Sequence, residues 1–168
     1  MGGGGQKLNT RLAKIALVAS VGFFALMVGF DNVFDYQTNF EAVQHVLSMD
    51  TLPAGAAFGW RAITLAALQN AAYWAIILTE LASGAFLVLG AGRMARAARY
   101  DALIFNASKR LAIAGLVALF LLYFLGFLVV GGEWFEMWRS ASWNFQEAAF
   151  RFALVIGVIL IFVSQQDA

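Results

Sequence analysis

Leu111-Ala112-Ile113-Ala114-Gly115-Leu116-Val117-Ala118-Leu119-Phe120-Leu121-Leu122-Tyr123-Phe124-Leu125-Gly126-Phe127-Leu128-Val129-Val130 runs for twenty residues without a charge. At about 1.5 Å per residue, about twenty helical residues cross a hydrocarbon core of about 30 Å. A chain in lipid has no water to satisfy its peptide groups, so it spans as a helix or as a closed barrel. The ten-residue alternating segments of a barrel are missing here. Working outward, Ala71–Ala91 is a second apolar run, interrupted once, at Glu80. Ile15–Phe30 is a third, and it reaches back to Leu12 if Lys14 extends its ammonium to the interface. The fourth, Phe145–Val163, contains Glu147 and Arg151.

Composition agrees with four spans. Of the 168 residues, 62% are hydrophobic and 12% charged, more apolar than a water-facing surface can absorb. The single proline suits unbroken helices. The absence of cysteine excludes disulfides, thiolate metal sites, iron–sulfur clusters and a Cys nucleophile. The sequence therefore predicts an all-α protein, a four-helix transmembrane bundle. Residues 12–164 form the membrane domain, with helices over about 12–30, 71–91, 111–130 and 145–163. Residues 1–11 read as a flexible cytoplasmic tail and 165–168 as a short cytoplasmic one. The exit of the first run, Val28-Gly29-Phe30-Asp31-Asn32, has no small-residue cleavage site, so it reads as a retained span. The low-complexity start Met1–Gly5 reads as mobile, and Gln6 stands where N-myristoylation needs Ser or Thr.

Charge orients the bundle. Lys7, Arg11 and Lys14 precede the first run, and Arg93, Arg96, Arg99, Lys109 and Arg110 lie between the second and third, against Asp101 alone. The opposite connections hold Arg61 and Arg139 against Asp31, Asp35, Glu41, Asp50, Glu133 and Glu136. Basic residues stay inside, so both termini are expected in the cytoplasm and the acidic loops outside. This division accounts for the basic residues without nucleic acid, and a net charge of +1 gives no other sign of a nucleic-acid partner. Trp60, Trp74, Trp134, Trp138 and Trp143 all fall on the outer side. Most suit interfacial anchoring, and some suit a docking surface.

The outer loops carry their own pattern. Phe40, Val43, Val46 and Leu47 recur at helical spacing, with Glu41 and Gln44 between them. That predicts a short amphipathic interfacial helix, for which Thr38 or Asn39 is a candidate cap. Residues 58–70 read as helical again. Trp134 and Trp138, one turn apart, predict a second small interfacial helix, with Gly131-Gly132 breaking the third run before it.

Glu80 is the residue most at odds with its surroundings. A mid-span carboxylate costs at least about 2.5–3.5 kcal/mol unless it is protonated or partnered. Ser83 and Gly84 share its face and predict close packing on a neighbouring helix. Depth arithmetic makes Tyr123 and Arg151 candidate partners in a buried Glu80–Tyr123–Arg151 cluster, with Glu147, one turn from Arg151, competing for the arginine. Structural packing, contact with a partner, and proton or ion handling all remain open for Glu80. His45 is the only histidine. Asp35, Glu41 and His45 make a weak outer metal set, and a solvated helix face accounts for them as well. Phosphate-binding loops and the G-x-S-x-G elbow are absent, so an enzyme is not expected and no cofactor is implied.

Asp35-Tyr36-Gln37-Thr38-Asn39-Phe40, Val43-Gln44-His45-Val46-Leu47-Ser48-Met49-Asp50-Thr51, Trp60-Arg61-Ala62-Ile63, Ile77-Leu78-Thr79-Glu80, Gly131-Gly132-Glu133-Trp134-Phe135-Glu136-Met137-Trp138 and Ala148-Ala149-Phe150-Arg151-Phe152 stand out as motifs. With them the chain, from about Leu12 to Val163, resembles a bacterial family of predicted small integral membrane proteins, a domain of unknown function. The resemblance implies four helices and a bacterial inner membrane, and no agreed activity. The functional expectation is a non-catalytic accessory or interaction subunit. It would dock on a membrane-protein partner or on copies of itself through outer-face residues such as Asp35, Glu41, His45, Trp60, Arg61, Glu133, Trp134 and Trp138. The alternatives are an oligomeric proton-coupled transporter or channel using Glu80, and an outer-face metal or ligand binder.

Overall fold

Long apolar runs without proline give the backbone no reason to leave the helix until polar residues or a turn intervene. In the computed structural model, which describes residues 3–167, the helices accordingly outrun the apolar stretches. Helix α1 covers Gly3–Phe34 and α2 Tyr36–Ser48. A 3₁₀ turn at Gly59–Arg61 leads to α3, Ala66–Ala97. A short α4, Ala102–Ser108, precedes α5, Arg110–Leu121. Helix α5 runs on as a wide π-helical segment, Leu122–Trp134. A 3₁₀ turn at Met137–Arg139 then leads to α6, Gln146–Ser164. Four stretches are long and apolar enough to cross a membrane: Gly5–Phe34, Ala66–Ala97, Ala102–Trp134 and Gln146–Ser164. At about 1.5 Å per residue the 32 residues of α3 exceed a roughly 30 Å core, so the helix tilts or projects from it.

Helix α3 is the central element, packed on α1 along one side and on α5 along the other. Helix α6 closes the bundle against α5, the wide segment and α1. The core runs through Val18, Ala25, Leu87, Met94, Leu116, Leu119, Ile156 and Val163. Lipid tails are as apolar as leucine, so association depends on close fit rather than on a hydrophobic drive. Small residues supply that fit. A Cβ on Gly84 would lie 3.0 Å from the Leu26 backbone nitrogen of α1, and one on Gly90 would lie 2.7 Å from that of Ala112 in α5. Ser83 and Gly84 do pack on neighbouring helices, as their place beside Glu80 suggested.

Several local expectations are revised. The segment expected as a flexible tail is helical from Gly3, and Arg11 within it is buried. Met1 and Gly2 of the low-complexity start lie outside the described residues. Thr38 and Asn39 fall inside α2 rather than capping it. The chain bends at Asp35, and the Asn39 amide donates back to the Asp35 carbonyl at 3.2 Å. Of residues 58–70, which read as helical, 66–70 are the first turns of α3, while 58–65 hold only the 3₁₀ turn Gly59–Arg61 and a non-helical stretch. Gly131-Gly132 do not break the third span. The helix widens, with Phe135 N–H donating to the Val130 carbonyl at 3.0 Å, five residues back. A Cβ on Gly132 would collide with the Gln146 side chain, so the glycine admits the first turn of α6. The expected Trp134–Trp138 helix is reduced to the 3₁₀ turn Met137–Arg139.

Candidate functional site

Two turns separate Tyr73 from Glu80 on α3, so both side chains share one face with Ile77 between them, and all three are buried. That face meets the last turn of α1, where Asn32 stands. The Asn32 Nδ2 donates to Glu80 Oε2 at 2.7 Å. The Tyr73 hydroxyl donates to the Asn32 backbone carbonyl at 3.0 Å and to its Oδ1 at 3.3 Å. Tyr73 thus fixes which way the amide faces, and the amide presents its NH₂ to the carboxyl. Tyr36, at the start of α2, stacks edge-on against Tyr73 and donates to Asn70 Oδ1 at 2.7 Å. The site therefore lies where α2 takes over from α1 in covering α3.

Of the expected cluster, Tyr123 is buried and within electrostatic reach of Glu80, without a hydrogen bond between them. Arg151 does not join. It pairs with Glu147 on the exposed side of α6. Phe152 packs on Tyr123 and Phe24, and the next-door residue is turned by about 100° to the outside. The local pair one turn apart prevails because Ala149, Ala153 and Ile156 take the inward face of α6, and Arg151, two residues from Ala149 and from Ala153, lies on the other side. No lysine, arginine or histidine pairs with Glu80 among the described residues. The site is a carboxyl held by one amide, able to accept a hydrogen bond or exchange a proton. Asn32 was missed because it looked like the polar exit of the first run, although an amide within one turn of a span's end was a visible signal.

At the same end of the bundle the loops form a cap. The Arg61 guanidinium lies 4.0 Å from the Phe58 ring centroid and 4.5 Å from that of Trp134, and donates to the Trp134 carbonyl at 3.1 Å. Trp60 meets Trp134 edge-on. Thr51 and Ser140 hydroxyls are 2.8 Å apart, and Ile63 N–H donates to the Leu47 carbonyl at 2.7 Å. His45 stacks on Trp143 and contacts Asp50 through Nδ1 at 2.9 Å. The outer set Asp35, Glu41 and His45 is not brought together: Asp50 takes the imidazole, Asp35 sits at the α1–α2 bend and Glu41 is exposed. No three His, Asp or Glu residues gather around a metal position among the described residues. Trp60, Glu133, Trp134 and Trp138 face outward, and Trp138 lies over Arg139, which pairs with Glu136 at 2.9 Å.

The other end holds a charge cluster that sequence reasoning missed. Lys14 does not reach to water. It is buried and donates to Asp167 Oδ2 at 2.7 Å and to the Gln165 carbonyl at 2.8 Å. Lys109 binds the same carboxylate oxygen and the same carbonyl. Asn106 brackets the Asp167 backbone through two hydrogen bonds. Burial pushes the Asp167 pKa up, but the hydrogen bonds and charges of Lys109 and Lys14 outweigh it and hold the carboxyl below its ordinary value. The expected tail 165–168 is thus docked over its described residues. Nothing in its composition signalled this, since a lone aspartate near a chain end is ordinary.

No curated protein and no solved structure is detectably similar to the chain. The four apolar helices are matched instead by a family profile that covers residues 10–166, and the chain belongs to that family, the predicted small integral membrane proteins DUF2165.

Proposed function

We propose that this integral membrane protein is a non-catalytic accessory subunit of a bacterial inner-membrane assembly, with both termini in the cytoplasm. The Lys/Arg asymmetry supports that orientation: the end carrying Arg11, Arg96 and Lys109 is the cytoplasmic one. The helices α2, Gly59–Arg61 and Met137–Arg139 then lie at the outer interface. The observation that carries the reading is the Arg61 lock. It ties the two outer loops together and leaves Trp60 72% and Trp138 52% exposed on a braced surface. Tryptophans on a braced frame lose little entropy on docking, and Trp and Arg dominate the energetics of interfaces. Purification of the tagged protein in mild detergent, with mass spectrometry of what stays bound, tests this. A stoichiometric membrane partner that is retained by wild type and lost from Trp60→Ala/Trp138→Ala supports an accessory role. A chain that runs as a monomer or homo-oligomer in both cases overturns it.

A second reading, an oligomeric proton-coupled transporter or channel, draws on one specific fact: Glu80 is buried with an amide beside it and pairs with no cation among the described residues. An intramembrane carboxyl of this kind is suited to titration. Proton flux in reconstituted vesicles that falls in Glu80→Gln supports this alternative, and flux equal to empty vesicles in wild type excludes it.

A further inference from the structure

The end of the bundle that carries the basic residues has two adjoining crevices, of about 430 and 350 Å³. The first turns of α1, the end of α3 and the start of α4 form their walls. Lys7, Arg11, Arg96 and Arg99 contribute to the lining, with Asp101 as its acid. Asp101 is engaged in capping α4, where it accepts from Ile104 N–H at 2.9 Å. Arg11 serves the walls, donating to the carbonyls of Ala98 at 3.0 Å and Tyr100 at 2.7 Å. Lys7, Arg96 and Arg99 make no ion pair or hydrogen bond with any described residue. Three cations thus converge on a concave site whose protein groups leave them uncompensated.

The rim is apolar. Leu12, part of the lining, is 50% exposed, and Leu103, on the solvent or lipid side of α4, is 81% exposed. In a membrane-spanning chain these side chains mark the level at which hydrocarbon begins. We infer that the crevice between α1, α3 and α4 binds the phosphate of an anionic phospholipid, held by Arg96 and Arg99 with Lys7 in support, its acyl chain lying along Leu12 and α4. Guanidinium groups match phosphate oxygens geometrically, and basic pockets between spanning helices suit anionic headgroups. Free inorganic phosphate shares the first contact but offers nothing to the leucine rim, which is why the lipid is the occupant named.

The test is native mass spectrometry of the detergent-purified protein, titrated with phosphatidylglycerol, phosphatidylcholine or inorganic phosphate. Wild type should hold phosphatidylglycerol in preference to phosphatidylcholine. Arg96→Gln/Arg99→Gln should weaken that binding by about 25-fold, at about five-fold for each basic residue near a lipid surface. Arg93→Gln/Arg110→Gln removes the same charge outside the crevice and should change it by less than about three-fold. Equal retention of the two lipids, an equal loss in both double variants, or displacement of phosphatidylglycerol by equimolar phosphate would each overturn the assignment. If the crevice variant does not fold, hydrogen exchange on wild type decides. Phosphatidylglycerol must protect residues 95–104 more than phosphatidylcholine does, and equal protection rejects the site.

Discussion

Asn32 does for Glu80 what the sequence assigned to Arg151. Its Oδ1 and backbone carbonyl accept from Tyr73, and its Nδ2 donates to the carboxyl. Hydrogen bonds between membrane helices contribute about 0.6 kcal/mol on average and up to about 1.7. Asn32→Ala should therefore lower stability in detergent by about 0.6–2 kcal/mol, and a double-mutant cycle with Glu80→Ala should return a coupling of similar size. A coupling near zero rejects the pair. Arg151→Leu removes only an exposed pair with Glu147 and should stay within about 0.5 kcal/mol of wild type. At the other end, Asp167 carries a depressed pKa. A carboxyl depressed by folding adds stability above its unfolded pKa, and that stability is lost as the pH falls through the folded value. The thermal midpoint should therefore fall as the pH drops from about 5 toward 2. In Asp167→Asn it should already be lower at neutral pH and lose less on acidification. Parallel acid limbs in the two proteins would mean that the Lys14–Asp167–Lys109 contact does not couple to folding.

Between helices, the seams decide what is tolerated. Gly90 sits against the Ala112 backbone, which cannot rotate away as a side chain can, so Gly90→Val overpacks the α3–α5 seam. Overpacking of this kind costs about 1–3 kcal/mol or more. Gly92, two residues on, has nothing within 4 Å of a built Cβ. Gly92→Ala should be neutral or stabilise by up to about 1 kcal/mol through helix propensity, as read from unfolding in detergent. The wide segment Leu122–Trp134 shows the same logic in reverse. Gly131-Gly132 looked like a helix stop because glycine is flexible, yet the pair stays helical and Gly132 gives room to Gln146. The loop elements depend on Arg61. Arg61→Ala removes its hydrogen bond and its stacking on Phe58 and Trp134, and should raise amide exchange in residues 131–139 while α3 and α5 keep their protection. Unchanged exchange there would mean that Thr51–Ser140 and His45–Trp143 brace the cap without it.

The whole molecule has two unlike ends. One gathers Arg11, Lys14, Lys109 and Asp167, and the other gathers the tryptophans and most of the acids. The chain has no cysteine, so single-cysteine labelling reads the orientation without a background. Cysteine at Ala54 or Ala141 should react with an impermeant maleimide in intact cells, and cysteine at Ala107 only after permeabilisation. The reverse pattern would invert the proposed topology. Four spans, the small-residue face beside Glu80 and the difference between the ends were legible in the sequence alone. They follow from how each residue type partitions between water and lipid, which is a property of the residue and its neighbours along the chain. Which group meets which was not legible. Whether Glu80 finds Asn32 or Arg151, or whether Lys14 reaches water or Asp167, depends on the rotation and axial offset of each helix against the others. Those are set by all the seams packing at once, with Ala149, Ala153 and Ile156 taking the inward face of α6 and glycines drawing α1 and α5 onto α3, and only the tertiary structure contains that outcome.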